Sequence, residues 1–457
     1  MLERWGAKNG YRESLKIGMP LVISMLSSTV MTFTDRIFLG NYSLEALGAS
    51  LPAAIAAFLF LSFFFGVAEY IGVFVSQYTG ALKHERVGAA LWQGLWFCIP
   101  SGLILASLWF IAGPLFDLGG HPPAIRELEV VYFRILTLGG GPFLVGITLS
   151  CFFSGRGMTK PVMLVNLAAA GINIPLDYCL INGSGPIPEL GIVGAGLATV
   201  CGYTLPAVCF AFMVFTPENE KCYRVRSARR LEPELLSRFL RFGLPGGVQF
   251  FLDMFGISFF VFMVGRIGEI ELAATNIAIS IDTLAFLPTI GMHIAASIMV
   301  GQAMGKEEPE GAAYATTSVL HLALGYMAFM GLMFVVFPGP LLELFRTRGE
   351  AGADFGAVSA LGTVLLRYVA AFTVIDAVAI VYIGALKGAG DTRFTMLIIG
   401  VSSIGCLVIP NFLLNWFGAA SIHGPWICLL TYVLVLAIAC VVRFRRGVWR
   451  SIRIIES

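Results

Sequence analysis

Twelve long apolar runs, separated by short polar breaks, constrain this chain more than any other feature. They lie near residues 14–40, 47–77, 88–113, 125–152, 159–182, 190–215, 238–265, 271–304, 311–337, 355–386, 393–416 and 423–443. A helix needs roughly 20 residues to cross the hydrocarbon of a bilayer. Several runs are longer, so tilt is expected. Closed β-barrels are the other spanning solution, but their strands alternate apolar and polar residues over about ten positions, and these runs are continuous. Charged residues make up only 13% of the chain and hydrophobic residues 57%. A soluble domain carries roughly 25% charge; with half of that, this chain could not cover its surface in water. The first sixteen residues, MLERWGAKNGYRESLK, hold no apolar core for a cleaved signal, so the run from Ile17 to Leu39 reads as a retained first helix.

Lysine and arginine mark the cytoplasmic side of a membrane protein. With the N terminus inside, the inner segments carry Arg4, Lys8, Arg12 and Lys16, then Lys83 and Arg86, Arg156 and Lys160, seven basic residues over 216–241, Lys306, Lys387 and Arg393, and the tail from Arg443. The opposite connections hold only Arg126, Arg266, Arg346 and Arg348. Both termini are therefore expected in the cytoplasm, with the chain in a plasma membrane of bacterial inner-membrane type. The formal net charge of +2 points to no nucleic-acid partner.

The sequence also repeats itself. At an offset of 225, Leu15, Gly18 and Pro20 match Leu240, Gly243 and Pro245, and Gly66, Val75, Gln77 and Gly80 match Gly291, Val300, Gln302 and Gly305. Later the offset is 233: Gly155, Gly157 and Thr159 match Gly388, Gly390 and Thr392. Six helices per repeat give both halves the same orientation, a parallel duplication about an axis along the membrane normal. The expected fold is all-α and polytopic, with twelve transmembrane helices in two pseudo-symmetric six-helix bundles. An N-lobe is expected over 1–215, a cytoplasmic linker over 216–237 and a C-lobe over 238–457. Two such bundles across a central cleft form a transporter layout. A channel would need a carbonyl filter or a ring of charge, and the sequence shows neither.

Charges within a membrane are costly and mark function by default. The candidates are Asp35, Glu69, Asp177, Asp253, Asp282 and Asp376. By the repeat, Asp35 falls opposite Phe260 and Asp253 opposite Ser28, so shared fold geometry does not account for them. Asp35 lies toward the outer end of the first helix, where a solvated pair with Arg36 is the plainer reading. Asn173 and Asp177, four apart in GINIPLDY, share one helical face. Pro175 between them lacks an N–H and leaves the Gly171 carbonyl without a helix partner. Two carboxylates, an amide oxygen and a freed carbonyl suit a hard cation, and a proton would serve instead; a helix–helix hydrogen bond is the alternative. Asp253 and Asp376 stand among apolar residues and suit proton binding and release, or else a local partner in the core. Glu69 and Asp282 are open between coupling and structural roles.

Enzyme signals are missing: there is no HExxH, GxSxG or Walker A pattern. GIVGAG at 191–196 opens the sixth helix, where close helix packing explains it. The nine cysteines have no CxxC spacing and read as small apolar residues. His293, the one histidine deep in a helix, reads as a packed neutral imidazole.

At GMPLVISMLSSTVMTFTDRIFLG, GINIPLDY, PELGIVGAGLAT, RFGLPGGVQFFLD and DAVAIVYIGALKGAGDT the sequence resembles the multidrug and toxic compound extrusion (MATE) family, related to polysaccharide and lipid-carrier exporters. The resemblance covers essentially the whole chain. It implies export of cationic organic compounds in exchange for Na⁺ or H⁺ by two rocking lobes, with no further cofactor. It maps Asp35, Asn173 and Asp177 onto a first-lobe ion site. Asp253 and Asp376 map onto second-lobe acids of the NorM-type branch, while Asp177 is more like the DinF-type branch. The expected partners are cationic amphiphilic small molecules and the lipid bilayer, and a monomer is expected. The alternative is a flippase for a lipid-linked oligosaccharide or another lipid; the mainly acidic intramembrane charge, with Arg134 and Arg367 as exceptions, argues against an anionic cargo.

Overall fold

The computed structural model describes residues 2–117, 119–184, 188–345, 352–417 and 421–456. Arg346 and Arg348 lie outside the described residues. Among the described residues, twelve helices are long and apolar enough to span a membrane: α1 Tyr11–Tyr42, α2 Leu44–Gly80, α3 His84–Phe110, α4 Pro123–Ser154, α5 Thr159–Asn182, α6 Ile192–Val214, α7 Pro233–Gly265, α8 Glu269–Gly305, α9 Pro309–Val336, α10 Phe355–Ala389, α11 Thr392–Trp416 and α12 His423–Arg445. Each coincides with one of the twelve apolar runs. Among the described residues there is no β-strand element.

Two compact units organise the chain. One comprises residues 20–251 with 305–307 and 454–457; the other comprises 1–19, 252–304 and 308–453. The boundaries fall inside α1 and α7 rather than in the connection between α6 and α7. Small residues at the start of each helix allow this. A Cβ on Gly66 of α2 would stand 2.7 Å from the Gly246 carbonyl and 3.0 Å from Gly247 Cα, so the Pro-Gly-Gly turn of α7 beds directly on α2 in the first unit. Gly18 of α1 meets Ala295 and Gly291 of α8 in the second unit. Gly291 is the repeat counterpart of Gly66, so one packing rule acts twice.

Within the first unit α4 packs against α2, α3 and α6; within the second, α10 packs against α9 and α12. These hubs are the fourth helices of their repeats. They bury 56% of their apolar windows, against 28% for α6, α9 and α11. A helix left so apolar and so open must meet lipid, since water would not solvate it. The connection between α6 and α7 carries a short helix, Pro217–Tyr223, and is strapped onto α3. Trp92 Nε1 donates to the Val225 carbonyl at 2.6 Å, Trp96 Nε1 to that of Arg229 at 3.1 Å, and Gln93 both donates to the Arg230 carbonyl and accepts from the Glu232 amide at 3.2 Å.

In α11 a π-helical stretch runs over Ser403–Val408. Pro410 just beyond it has no N–H to continue the ordinary ladder, and wider i→i+5 turns absorb such a defect. Gly256 of α7 makes room at this point, because a Cβ there would collide with Ser403 Oγ.

Candidate functional site

Helical periodicity aims one face of each of α1 to α6 at a shared cavity of about 200 Å³. Met31 and Asp35 come from α1, Ala54, Ala57, Phe58 and Leu61 from α2, Tyr132, Leu136 and Gly140 from α4, Asn173 from α5, and Thr199 and Tyr203 from α6. Spacings of three and four place them on common faces. The carboxyls of Asp35 and Asp177 face each other within hydrogen-bonding reach. Tyr132 Oη donates to Asp35 Oδ2 at 3.4 Å. Asp35 Oδ1 and both oxygens of Asp177 are buried and accept no hydrogen bond, although the Asp177 residue is only 1% exposed. Asn173 Nδ2 donates to the Ala198 carbonyl at 2.7 Å, which leaves its amide oxygen as an acceptor. Gly202 gives it room, since a Cβ there would approach Asn173 Nδ2 to 3.2 Å.

The chemical consequence is specific. Ionised carboxylates only accept hydrogen bonds. Two of them together in a buried place repel one another unless a proton or a cation lies between them. Among the described residues no lysine or arginine forms an ion pair with Asp35, Asp177, Asp253, Asp282 or Asp376. Arg36 lines the cavity yet does not pair with Asp35, so the plain helix-end pair is not formed.

The acids of the second unit form a looser group. Asp253 on α7 accepts from Tyr432 Oη of α12 at 2.7 Å. Asp376 on α10 feels the charge of both Asp282 and Asp253, and Asp282 Oδ1 on α8 is buried with no donor. Among the described residues no three His, Cys, Asp or Glu side chains converge to hold a metal ion. Glu69 stands apart from the cavity lining; its carbonyl accepts from Cys151 Sγ at 3.5 Å. His293 shares a hydrogen bond of 2.8 Å with the Ile380 carbonyl. At Gly194 a Cβ would collide with the Leu180 carbonyl, so GIVGAG packs α6 against α5.

Sequence reasoning missed the hydroxyl wall of Tyr132, Thr199 and Tyr203. The available signal was a tyrosine within an apolar helix, whose hydroxyl needs a polar partner when buried.

The comparisons with known proteins agree with this architecture. The MatE family model matches residues 20–179 and again 245–413, more than half of the chain, and its two starts lie one sequence repeat apart. The chain belongs to the MatE family. It is similar to a probable multidrug resistance protein NorM of Brucella suis, 29% identical over 97% of this chain and 94% of that protein. A NorM counterpart in Burkholderia pseudomallei is 27% identical over 95% and 92%. Among solved structures, an outward-facing multidrug resistance MATE transporter aligns with a TM-score of 0.87 at 20% identity over 97% of both chains. A MOP superfamily transporter from Pyrococcus furiosus aligns with a TM-score of 0.86 at 19% identity over 99% of both. This MatE protein is therefore a multi-pass membrane transporter and not an enzyme.

Proposed function

We propose that the protein is a multidrug efflux antiporter that exports cationic organic compounds in exchange for H⁺ or Na⁺ by alternating access. The observation that carries this reading is the pair Asp35 and Asp177, face to face with three buried oxygens that accept no hydrogen bond. A proton or a small cation satisfies that pair. An organic cation in the same cavity competes with it for the same negative charge, and competition for one charge enforces exchange. Asn173 supplies a neutral oxygen to a sodium ion, and the carbonyl freed by Pro175 is a further ligand for it. Asp253 and Asp376, with Asp282 beside them, form a second group for protons in the other unit; Glu69 is not among the residues lining the first-unit cavity. Exchange of one H⁺ or Na⁺ for one singly charged organic cation moves no net charge, so the ion gradient drives it: a tenfold gradient of the coupling ion supplies about 1.4 kcal/mol and sustains about tenfold accumulation.

NorM-named relatives of similar length support the substrate class. An anionic lipid-linked sugar would meet Asp35 in the cavity, which disfavours the flippase reading. The test is ethidium efflux from vesicles under an imposed pH gradient or an imposed Na⁺ gradient, each applied alone. One gradient is expected to drive efflux. Efflux that neither gradient drives refutes the reading.

A further inference from the structure

The first unit holds one buried acid that the coupling site does not use. Glu129 lies in the second turn of α4 and is 0% exposed. Its Oε1 shares a hydrogen bond of 2.7 Å with His121 Nδ1, and its Oε2 is buried with no partner. His121, two residues before α4, has 42% of its side chain exposed. The imidazole thus touches solvent on one side and a sealed carboxyl on the other. Glu129 also stands three residues before Tyr132, on the same face of α4, and Tyr132 donates to Asp35.

Several other charged groups near this end have partners of their own. Arg126, one turn before Glu129, pairs with Asp117 at 2.5 Å. Glu45 accepts from Ser43 Oγ at 2.6 Å. From α1 the charged groups are Asp35, already described, and Arg36. None of these occupies Glu129 Oε2. A carboxyl serving only to pin the turn before α4 would gain nothing from a buried oxygen left without a donor.

We propose that His121 and Glu129 form the outer leg of a proton path to Asp35 and Asp177. His121 Nε2 takes a proton from water as Nδ1 yields one to Glu129. Glu129 yields a proton from Oε2 through water to the Tyr132 hydroxyl. Tyr132 donates its own proton to Asp35 and keeps the one received. One proton enters and one is gained by the Asp35–Asp177 pair; a half-turn of the His121 imidazole and of the Glu129 carboxyl then restores the starting tautomer and the starting protonated oxygen. This path rests on the coupling role proposed above for Asp35.

The test uses the full-length protein in liposomes containing a pH-sensitive dye, with ethidium as the exchanged cation and an imposed pH jump. Glu129→Gln and His121→Gln keep hydrogen-bonding shape but cannot relay a proton. Each is expected to slow the maximal rate of proton-for-ethidium exchange at least fivefold, with ethidium affinity and melting temperature unchanged. A merely structural pin would instead lower the melting temperature and leave the rate per folded molecule intact. Folded variants exchanging at the wild-type rate overturn the path. If Glu129→Gln does not fold, His121→Gln, at an exposed turn, decides alone. Asp35→Asn separates the two ideas. If it is impaired while the relay variants are not, only the path fails; if it exchanges protons like wild type, the coupling role itself fails. A wild type that moves no protons overturns the path and leaves a sodium-driven exchange.

Discussion

A carboxylate accepts hydrogen bonds and donates none, so Asp177, with both oxygens buried and unpartnered, is incomplete without a proton or a cation. Replacing it by asparagine supplies donors and removes the charge. Asp177→Asn and Asp35→Asn are each expected to cut ethidium accumulation about tenfold under a tenfold gradient of the coupling ion, which supplies about 1.4 kcal/mol to a one-for-one exchange; efflux assays in vesicles under that imposed gradient check this. Tyr132→Phe removes only the hydroxyl 3.4 Å from Asp35. A single hydrogen bond contributes about 0.5–1.5 kcal/mol, so the expected change in the apparent affinity for the coupling ion is no more than about tenfold. Ion titration of transport measures it. Much of this site was legible beforehand: Asp35, Asn173 and Asp177 stand out because charge and amide are rare in apolar helices. The hydroxyl wall was not legible, because tyrosine and threonine are unremarkable there until neighbouring helices show which of them face inward.

Among the elements, the junction of α2 with the start of α7 is set by glycine. Gly66→Val would push a side chain into the Gly246 carbonyl, and overpacking of this kind costs about 1–3 kcal/mol. Its melting temperature in detergent is expected to fall, whereas Gly48→Ala on the same helix, with open space at its Cβ, should leave it unchanged or slightly raised. The C-terminal tail offers a pH test. Glu456 accepts from Tyr78 and Arg238 and pairs with Arg86 at 2.8 Å, and its carbonyl accepts from Lys83 Nζ. Burial opposes ionisation, yet a backbone hydrogen bond, the Tyr78 hydroxyl and the Arg86 guanidinium together hold its carboxyl below the ordinary glutamate value of 4.5. A lowered folded value means stability that is fully present above the unfolded value and lost as pH falls through the folded one. The melting-temperature advantage of wild type over Glu456→Gln should therefore be constant down to about pH 4.5, the ordinary value, and shrink below it. The glycine motifs at 18–20 and 243–247 were visible as repeats, but their partners on α8 and α2 were not, since sequence spacing does not say which helices cross.

For the whole molecule, the charge distribution carries a prediction of orientation. With lysine and arginine concentrated in the segments that share a side with the N terminus, a fluorescent protein fused after Ser457 should be bright in a bacterial host. An alkaline phosphatase fused there should be inactive. The opposite result would reverse the sides of every connection, including the turn that carries His121.

Length and apolarity alone determined that this chain crosses the membrane twelve times, because a bilayer admits few backbone solutions and each needs a run of fixed length. Its internal offset also determined that the fold is duplicated. Tertiary structure alone decided three things. It brought Asp35 and Asp177, 142 positions apart in the sequence, face to face. It divided the units within α1 and α7. It put a buried Glu129 against a solvent-touching His121. Each depends on which helix faces meet, and in an apolar solvent that choice rests on close packing and single polar contacts, which leave only a faint periodic trace in the sequence.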